Sequence, residues 1–463
     1  MTASLIPAAA SARAVSRKRL PFGCGVRFFI ALVVGLVWLI PAWWSPRLIA
    51  AMFVWDGFLV TAWLLDLMRL PKPSAIEVRR IWETPLELGR PSAVSIELTN
   101  LGAKRIRANL IDQAPVAVRD VVPMLNAVVA GGDRALQQYS IVPRERGDIR
   151  FGDVFLRYRS ELGLAERWAV AAAGQTVCVL PDLVQAQEQA LYLIRSRQVE
   201  IEKRRRRLPG IGREFKTLRD YRQGDELRDI CWSATARRNH LVTRTYEAER
   251  SQTVWIVVDA GRLLRAQITE HGSDVRLTKL DYAVNAALAL AQVASQFGDK
   301  VGLLAYGRAI QQSVGPGRGS KHIRVLMESL ARVRGEAIEA NHNHAARVLL
   351  RSQSRRALVV WITDFAETPT TPDVVEYAVR TSRRHLVMFA TVSQPDLAML
   401  AAAVPQSEAE MFRHVAAVEI AQRRELLLRG LRQSGVLAME LAPGRLASSV
   451  VNEYLQIKDR NLI

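Results

Sequence analysis

The window from Pro209 to Arg244 gathers the residues most able to do chemistry. Four acids, Glu214, Asp220, Asp225 and Asp229, lie among Arg213, Arg219, Arg222, Arg228 and Arg237. Carboxylates at this density can act as general acids or bases, or they can meet guanidinium groups in two-pronged forks. The first chemistry makes a hydrolase using Glu214, Asp220 or Asp225; the second makes a clamp that holds two domains in register. No cluster of Ser, His or metal ligands accompanies the acids, so the clamp is the expectation and no catalytic residue is assigned. A second pair of acids, Asp259 and Asp364, ends two apolar runs, Val254 to Val258 and Leu358 to Thr363. Buried parallel strands read this way, and ligands of such sheets bind outside the strands' carboxyl ends.

The elements that position these groups follow from the pattern. Gly210, Gly212 and Gly224 let the backbone turn on either side of the acids. Phe215, Leu218 and Tyr221 recur every third residue, which predicts a short helix. After residue 250, apolar runs at 254–258, 301–306, 358–364, 385–391 and 436–441 alternate with helical spacings such as Leu280, Val284, Leu288 and Ala291. Strands alternating with helices predict a doubly wound, mostly parallel α/β sheet over 251–463.

The signature also resembles a known family. Gly212, Glu214, Phe215, Leu218, Arg219, Tyr221, Gly224, Asp225, Arg228, Ile230, Trp232, Ala236 and Arg237 stand at the spacings of the bacterial domain-of-unknown-function family fifty-eight. That resemblance implies a membrane-anchored chain that contains a von Willebrand A-like domain and works beside a MoxR-type AAA+ ATPase. It makes the signature over 209–250 an interaction segment and the chain an adaptor or assembly factor, not an enzyme. Von Willebrand A folds hold Mg²⁺ with an Asp-x-Ser-x-Ser motif, a loop hydroxyl and a later Asp. Here Asp259, Ser320 and Asp364 match, while Gly261 and Leu263 replace the two serines. The implied site is therefore degenerate. It would hold Mg²⁺ weakly through those oxygens, complete its shell with a partner's carboxylate, or meet that partner through Arg262 and Arg318.

The rest of the chain reads as support. Phe28 to Trp44 and Leu48 to Leu65 are apolar, and about 17–25 such residues cross a bilayer, so 28–68 predicts a two-helix hairpin. Arginines and lysines flank it on both sides, from Arg13 to Arg27 and from Arg69 to Arg80. The positive-inside rule then places residues 1–27 and the soluble bulk in the cytoplasm of a bacterial inner membrane. Asp56 falls inside the second span, where it either contacts another membrane helix or stays protonated or wet. Residues 70–182 alternate polar with apolar between Gly- and Pro-rich turns, which predicts an all-β, immunoglobulin-like sandwich. Residues 183–208 read as a basic helix ending in Lys203 to Arg207. With a net charge of +19, that run raises membrane lipid and nucleic acid as partners. No nucleic-acid motif accompanies it, so nucleic acid ranks last. Cys24, Cys178 and Cys231 show no paired spacing and suit reduced thiols. The Gly- and Lys-containing stretch 315–321 lacks the Gly-Lys pair of a phosphate loop, and His342-Asn343-His344 reads as a solvated loop.

Overall fold

The computed structural model describes residues 6–16, 21–43, 48–182, 214–222, 227–247, 252–268, 277–365, 371–460 and 462. The run Lys203 to Arg207 and the helix expected over 183–208 lie outside them, as do Gly212, Gly224 and Asp225. The chain divides into two units, Met1–Leu180 and Pro181–Ile463.

In the first unit, polar and apolar residues alternate along the strands, and the apolar set is buried. Ile106–Asp112 (β5) and Gly147–Phe151 (β8) show that alternation most regularly. Among the described residues nine strands form one antiparallel sheet, eight of them in a single path. Its order is Met124–Val129 (β6), β5, Val154–Arg159 (β9), Ala165–Ala171 (β10), Ala10–Val15 (β1), Ile76–Trp82 (β3), Ser92–Asn100 (β4) and Arg134–Ile141 (β7), with Phe22–Cys24 (β2) on β10. Gln175–Val179 (β11) pairs with β8. This arrangement fits a β-sandwich. Its centre holds an ion pair: Arg80 donates to Asp112 and to the carbonyls of Ala173 and Gly152, and the Tyr139 hydroxyl donates to Asp112 at 2.6 Å. Arg80 and Asp112 are both fully buried, so Arg80 belongs to the core and not to the cationic flank of a membrane helix.

The N-terminal residues also differ from the expected basic tail. β1 lies between β3 and β10, with Arg13 in register opposite Glu77. Its alanines fit that narrow slot, and Ala14 is buried. The apolar helices therefore leave from β2 and return to β3 within one unit. Among the described residues one helix is long and apolar enough to cross a bilayer, Ile49–Arg69. The expected first span is shorter and interrupted: Val26–Gly35 (α1), a 3₁₀ turn over Leu36–Trp38, and Leu39–Ala42 (α2). Pro41 removes a backbone donor there. The second helix, Leu48–Arg69 (α3), packs on the first. Trp55 donates its indole N–H to the Ala31 carbonyl at 3.0 Å, and its ring and Asp56 lie where a side chain at Gly35 would stand. Asp56 thus faces the neighbouring helix. The last turn of α3 is held by the sandwich, because Asp66 accepts the N–H groups of Leu164 and Ala165.

In the second unit the signature segment forms a ribbon of Glu214–Asp220 (β12) and Val242–Glu247 (β13), with Trp232–Arg238 (α4) between them. The expected helix through Phe215, Leu218 and Tyr221 is therefore a strand. A register shift between Phe215 and Thr217 breaks its two-residue period and imitates a period of three.

The larger part is a sheet flanked by helices. Across the described residues its order is Ile310–Gly317 (β18), Lys300–Tyr306 (β17), Thr253–Asp259 (β14), Leu358–Thr363 (β19), Leu386–Val392 (β20) and Leu437–Leu441 (β21). All neighbours are parallel except β17 and β18. The small strands Gln267–Ile268 (β15) and Leu277–Thr278 (β16) pair beside it. Next comes Lys279–Gln296 (α5), apolar nearly all round and buried accordingly. Its first turn is fixed by a capping box of Thr278 and Asp281. The opposite face packs Trp255, Trp361 and Phe389, the last two stacked at 5.4 Å, under His342–Ser352 (α7) and Thr371–Ser382 (α8). Gly319–Ala331 (α6), Pro395–Ala402 (α9), Glu408–Gln433 (α10) and Pro443–Asp459 (α11) complete the unit.

Candidate functional site at the strand tips

β14 and β19 are adjacent, with Val258 beside Ile362, so Asp259 and Asp364 arrive together at the carboxyl edge of the sheet. Both are buried, at 3% exposure each. Asp259 accepts the Gly261 N–H at 2.7 Å and the Thr363 hydroxyl at 2.6 Å. Burial pushes its pKa up, with the neighbouring Asp364 adding to the rise against the opposing effects of His342, Thr363 and Gly261. Asp364 is held by two cations. The Lys279 ammonium donates to it at 2.6 Å from the first turn of α5. The Arg424 guanidinium donates to its other oxygen from α10, and also to Glu440 at 2.9 Å and to the Phe365 carbonyl.

Ser320 does not join them. β18 runs back along β17, pairing Ile310 with Tyr306 and Gly317 with Val301. The chain has thus returned to the amino end of the parallel strands before α6 begins. Five residues at about 3.3 Å each put Ser320 roughly 17 Å from the tip that carries Asp259. Arg318 sits at that far end as well, so Arg262 and Arg318 do not share the rim. The missing serine at Gly261 has a physical reason too. A side chain at Gly261 would stand 2.8 Å from the Ala340 nitrogen, because residues 336–341 lie across this edge. Glu336 donates to the Ala260 carbonyl, Arg262 to Ile338, and Asn341 to Gly307.

These residues do not fit Mg²⁺. A divalent cation needs several open oxygen ligands. Among the described residues the rim offers two carboxylates, one engaged by Lys279 and Arg424 and the other under a covering segment. Among the described residues no three metal-ligating side chains converge.

The stretch His342-Asn343-His344, expected as a solvated loop, is instead the half-buried start of a helix. His342 opens α7, whose cap is Asn341, and its ring rests against Tyr306 and Phe365. Trp361 donates its indole N–H to the Tyr306 oxygen at 2.6 Å, and that oxygen lies 2.7 Å from His342 Nδ1. Burial lowers the His342 pKa, with Asp259 and Glu339 opposing. Arg424 was detectable: it shares a helical stripe with the buried Ala417, Leu428 and Leu431. Lys279 carries no such mark.

Among the described side chains, Asp220 meets His240 Nε2 at 2.9 Å, and both are exposed. The other ring nitrogen of His240 meets the Arg238 carbonyl, so the ring is not turned toward Cys231. Cys231 is buried with Ala234 and Val242. Its thiol is lowered to about 7 by hydrogen bonds from Ser233 and Arg244. Trp232 and Leu227 face solvent, at 67% and 71% exposure. The positions of Glu214, Phe215 and Arg228 are described only as backbone.

Residues 217–429 match the family described as Protein of unknown function DUF58. The DUF58 match thus spans the ribbon, the rim and the α9–α10 region. Uncharacterized protein Rv1480 of Mycobacterium tuberculosis is 32% identical over 168 residues, 34% of this chain and 49% of that protein; Mb1516 of Mycobacterium bovis matches to the same extent. The chain spans about half the length of these curated relatives. Among solved structures, BatB of Bacteroides thetaiotaomicron aligns with 45% of this chain and all of its own, at 13% identity and a TM-score of 0.31. The PilB minor pilin of Streptococcus sanguinis aligns with 76% of this chain at 8% identity and a TM-score of 0.33. Overlaps this loose say nothing about function.

Proposed function

We propose that this chain is a membrane-anchored adaptor, or assembly factor, that works with a MoxR-type AAA+ ATPase through a von Willebrand A-like domain. The observation that carries the reading is the closed rim. Where a doubly wound sheet usually takes its ligand, Asp364 already holds Lys279 and Arg424 of the same chain. A surface organised in this way presents a shape to a partner and leaves the hydrolysis to it. Counted within the domain, the strand order is 3-2-1-4-5-6 with an antiparallel third strand, which supports the von Willebrand A-like reading. The resemblance of the Gly212–Arg237 signature supplies the ATPase.

The anchor is a hairpin with both ends on the cytoplasmic face of a bacterial inner membrane. β1 and β3, on either side of the helices, are hydrogen-bonded neighbours. An even number of crossings therefore returns the chain to its own sandwich, whose immunoglobulin-like form serves as a spacer.

The test is co-purification of the detergent-solubilised full chain with the ATPase encoded beside it. Wild type is expected to retain the ATPase, and Trp232→Ala to lose most of it without a change in thermal midpoint. Failure of wild type to retain the ATPase at low salt would refute the partnership. ATP hydrolysis or other turnover by the purified chain alone would refute the adaptor role.

A further inference from the structure

We infer that the hairpin of α9 and α10 is a docking surface for a protein partner whose apolar groove is rimmed by lysine and arginine. No residue of α9 is buried, and none in the first half of α10 before Ala417. Met399, Leu400, Val404, Met411, Phe412 and Val415 all face solvent, Val404 at 78% and Phe412 at 69% exposure. Large exposed apolar residues gathered on two helices that pack on each other mark an interaction site. It is also a built surface. Ser407 caps α10 by accepting the Glu410 N–H, Glu410 accepts the Gln406 N–H at 2.7 Å, and His414 Nδ1 lies 3.1 Å from the Leu400 carbonyl. The distal half of α10 is fixed in the core by Leu428 and Leu431 and at the rim by Arg424. The two-helix tip is thus held out preformed, as in helix-in-groove recognition.

Charge selects the occupant. The whole chain carries +19, yet Pro395 to Val415, the stretch that bears this surface, contains Asp396, Glu408 and Glu410 against a single cation of the Lys/Arg type, Arg413. An anionic bilayer surface would repel these carboxylates, whereas membrane-surface helices carry basic faces. A second copy meeting this one hairpin to hairpin would oppose acid to acid. One meeting it head to tail would make a contact that need not close. A basic-rimmed groove on another protein satisfies both the apolar face and its acidic border. The inference goes beyond the adaptor reading, since it needs a protein partner but not the ATPase.

The test places a photo-crosslinking residue at the tip, Phe412→p-benzoylphenylalanine, in the full chain in its native membranes. The expected result is one discrete protein adduct whose crosslinked peptide is apolar and flanked by Lys or Arg. Val404→Glu, at an exposed position, should reduce that adduct at least tenfold with an unchanged thermal midpoint, as should 1 M salt. The same probe at Val325, exposed on α6, should not give it. An adduct of this chain with itself, adducts with lipid, or no adduct would each overturn the proposal, as would a protein adduct insensitive to Val404→Glu. If the adduct is a protein other than the ATPase, the docking surface stands, and the adaptor reading stands or falls with ATPase co-purification by wild type and Trp232→Ala. If Val404→Glu leaves ATPase co-purification intact and no other protein is crosslinked, the docking surface falls and the adaptor reading stands.

Discussion

Asp112 and Asp364 are both buried against cations, but in different kinds of place. Asp112 lies inside the sandwich, where Arg80 reaches it across the core and joins it to two backbone carbonyls and Tyr139. Asp364 lies at the tips of parallel strands, where the fold leaves room for a ligand. There Lys279 and Arg424 approach from two helices, and Arg424 shares its charge with the partly exposed Glu440. The first network links strands of one sandwich. The second fills a place where other sheets of this type bind something else. The same chemistry is core structure in one unit and a closed site in the other.

Cutting either network separates the two roles. Asp112→Ala leaves Arg80 buried without its counter-ion, which typically costs about 3–5 kcal/mol and should abolish the sandwich's cooperative unfolding transition in calorimetry of the solubilised chain. Asp364→Ala should cost a comparable amount, about 3–5 kcal/mol, because Arg424 keeps Glu440 but the buried Lys279 loses its counter-ion. Its loss should appear only in the α/β unit, as local hydrogen exchange of α5 and α10. If the sandwich exchanges faster instead, the assignment of the two networks is wrong.

A smaller effect distinguishes the rim by pH. Burial holds the His342 pKa below its ordinary value. The unfolded chain therefore takes up a proton first as pH falls, and stability drops from the unfolded value of about 6.5 downward through the folded one. His385, also lowered by burial and by Arg384, acts in the same direction. Thermal midpoints between pH 8 and 5 should decline more steeply in wild type than in His342→Gln. Parallel curves would contradict the Tyr306–His342 arrangement. Smallest of all, the ultraviolet thiolate absorbance of Cys231, read as the difference from Cys231→Ser, should rise near pH 7. That of Cys24, raised by burial and by Glu166, should rise only at higher pH. Equal profiles would rule out the influence of Ser233 and Arg244.

Much of the second unit was legible because its central strands are continuous apolar runs and α5 repeats with helical period. The sandwich strands were legible from alternation. The failures have local causes. Ala10–Val15 has small residues and no apolar alternation, and its partners lie more than sixty residues away in sequence. Ile310–Gly317 is rich in Gly and Pro, which an edge strand tolerates and a local reading takes for a loop. Missing that strand put Ser320 at the wrong end of the sheet. Asp259 and Asp364 were placed correctly together, but their closure depends on Lys279 and Arg424, which are 85 and 60 residues from Asp364. Only Arg424, lying in an apolar stripe, signalled its burial.

Manganese binding tests the closed rim most directly. The solubilised full chain is titrated with Mn²⁺ and read by electron paramagnetic resonance, alongside Asp259→Asn. The expected result is no saturable binding that depends on Asp259. A saturable Mn²⁺ signal in wild type that disappears in Asp259→Asn would show that the strand tips hold a metal despite Lys279 and Arg424, and would contradict the account.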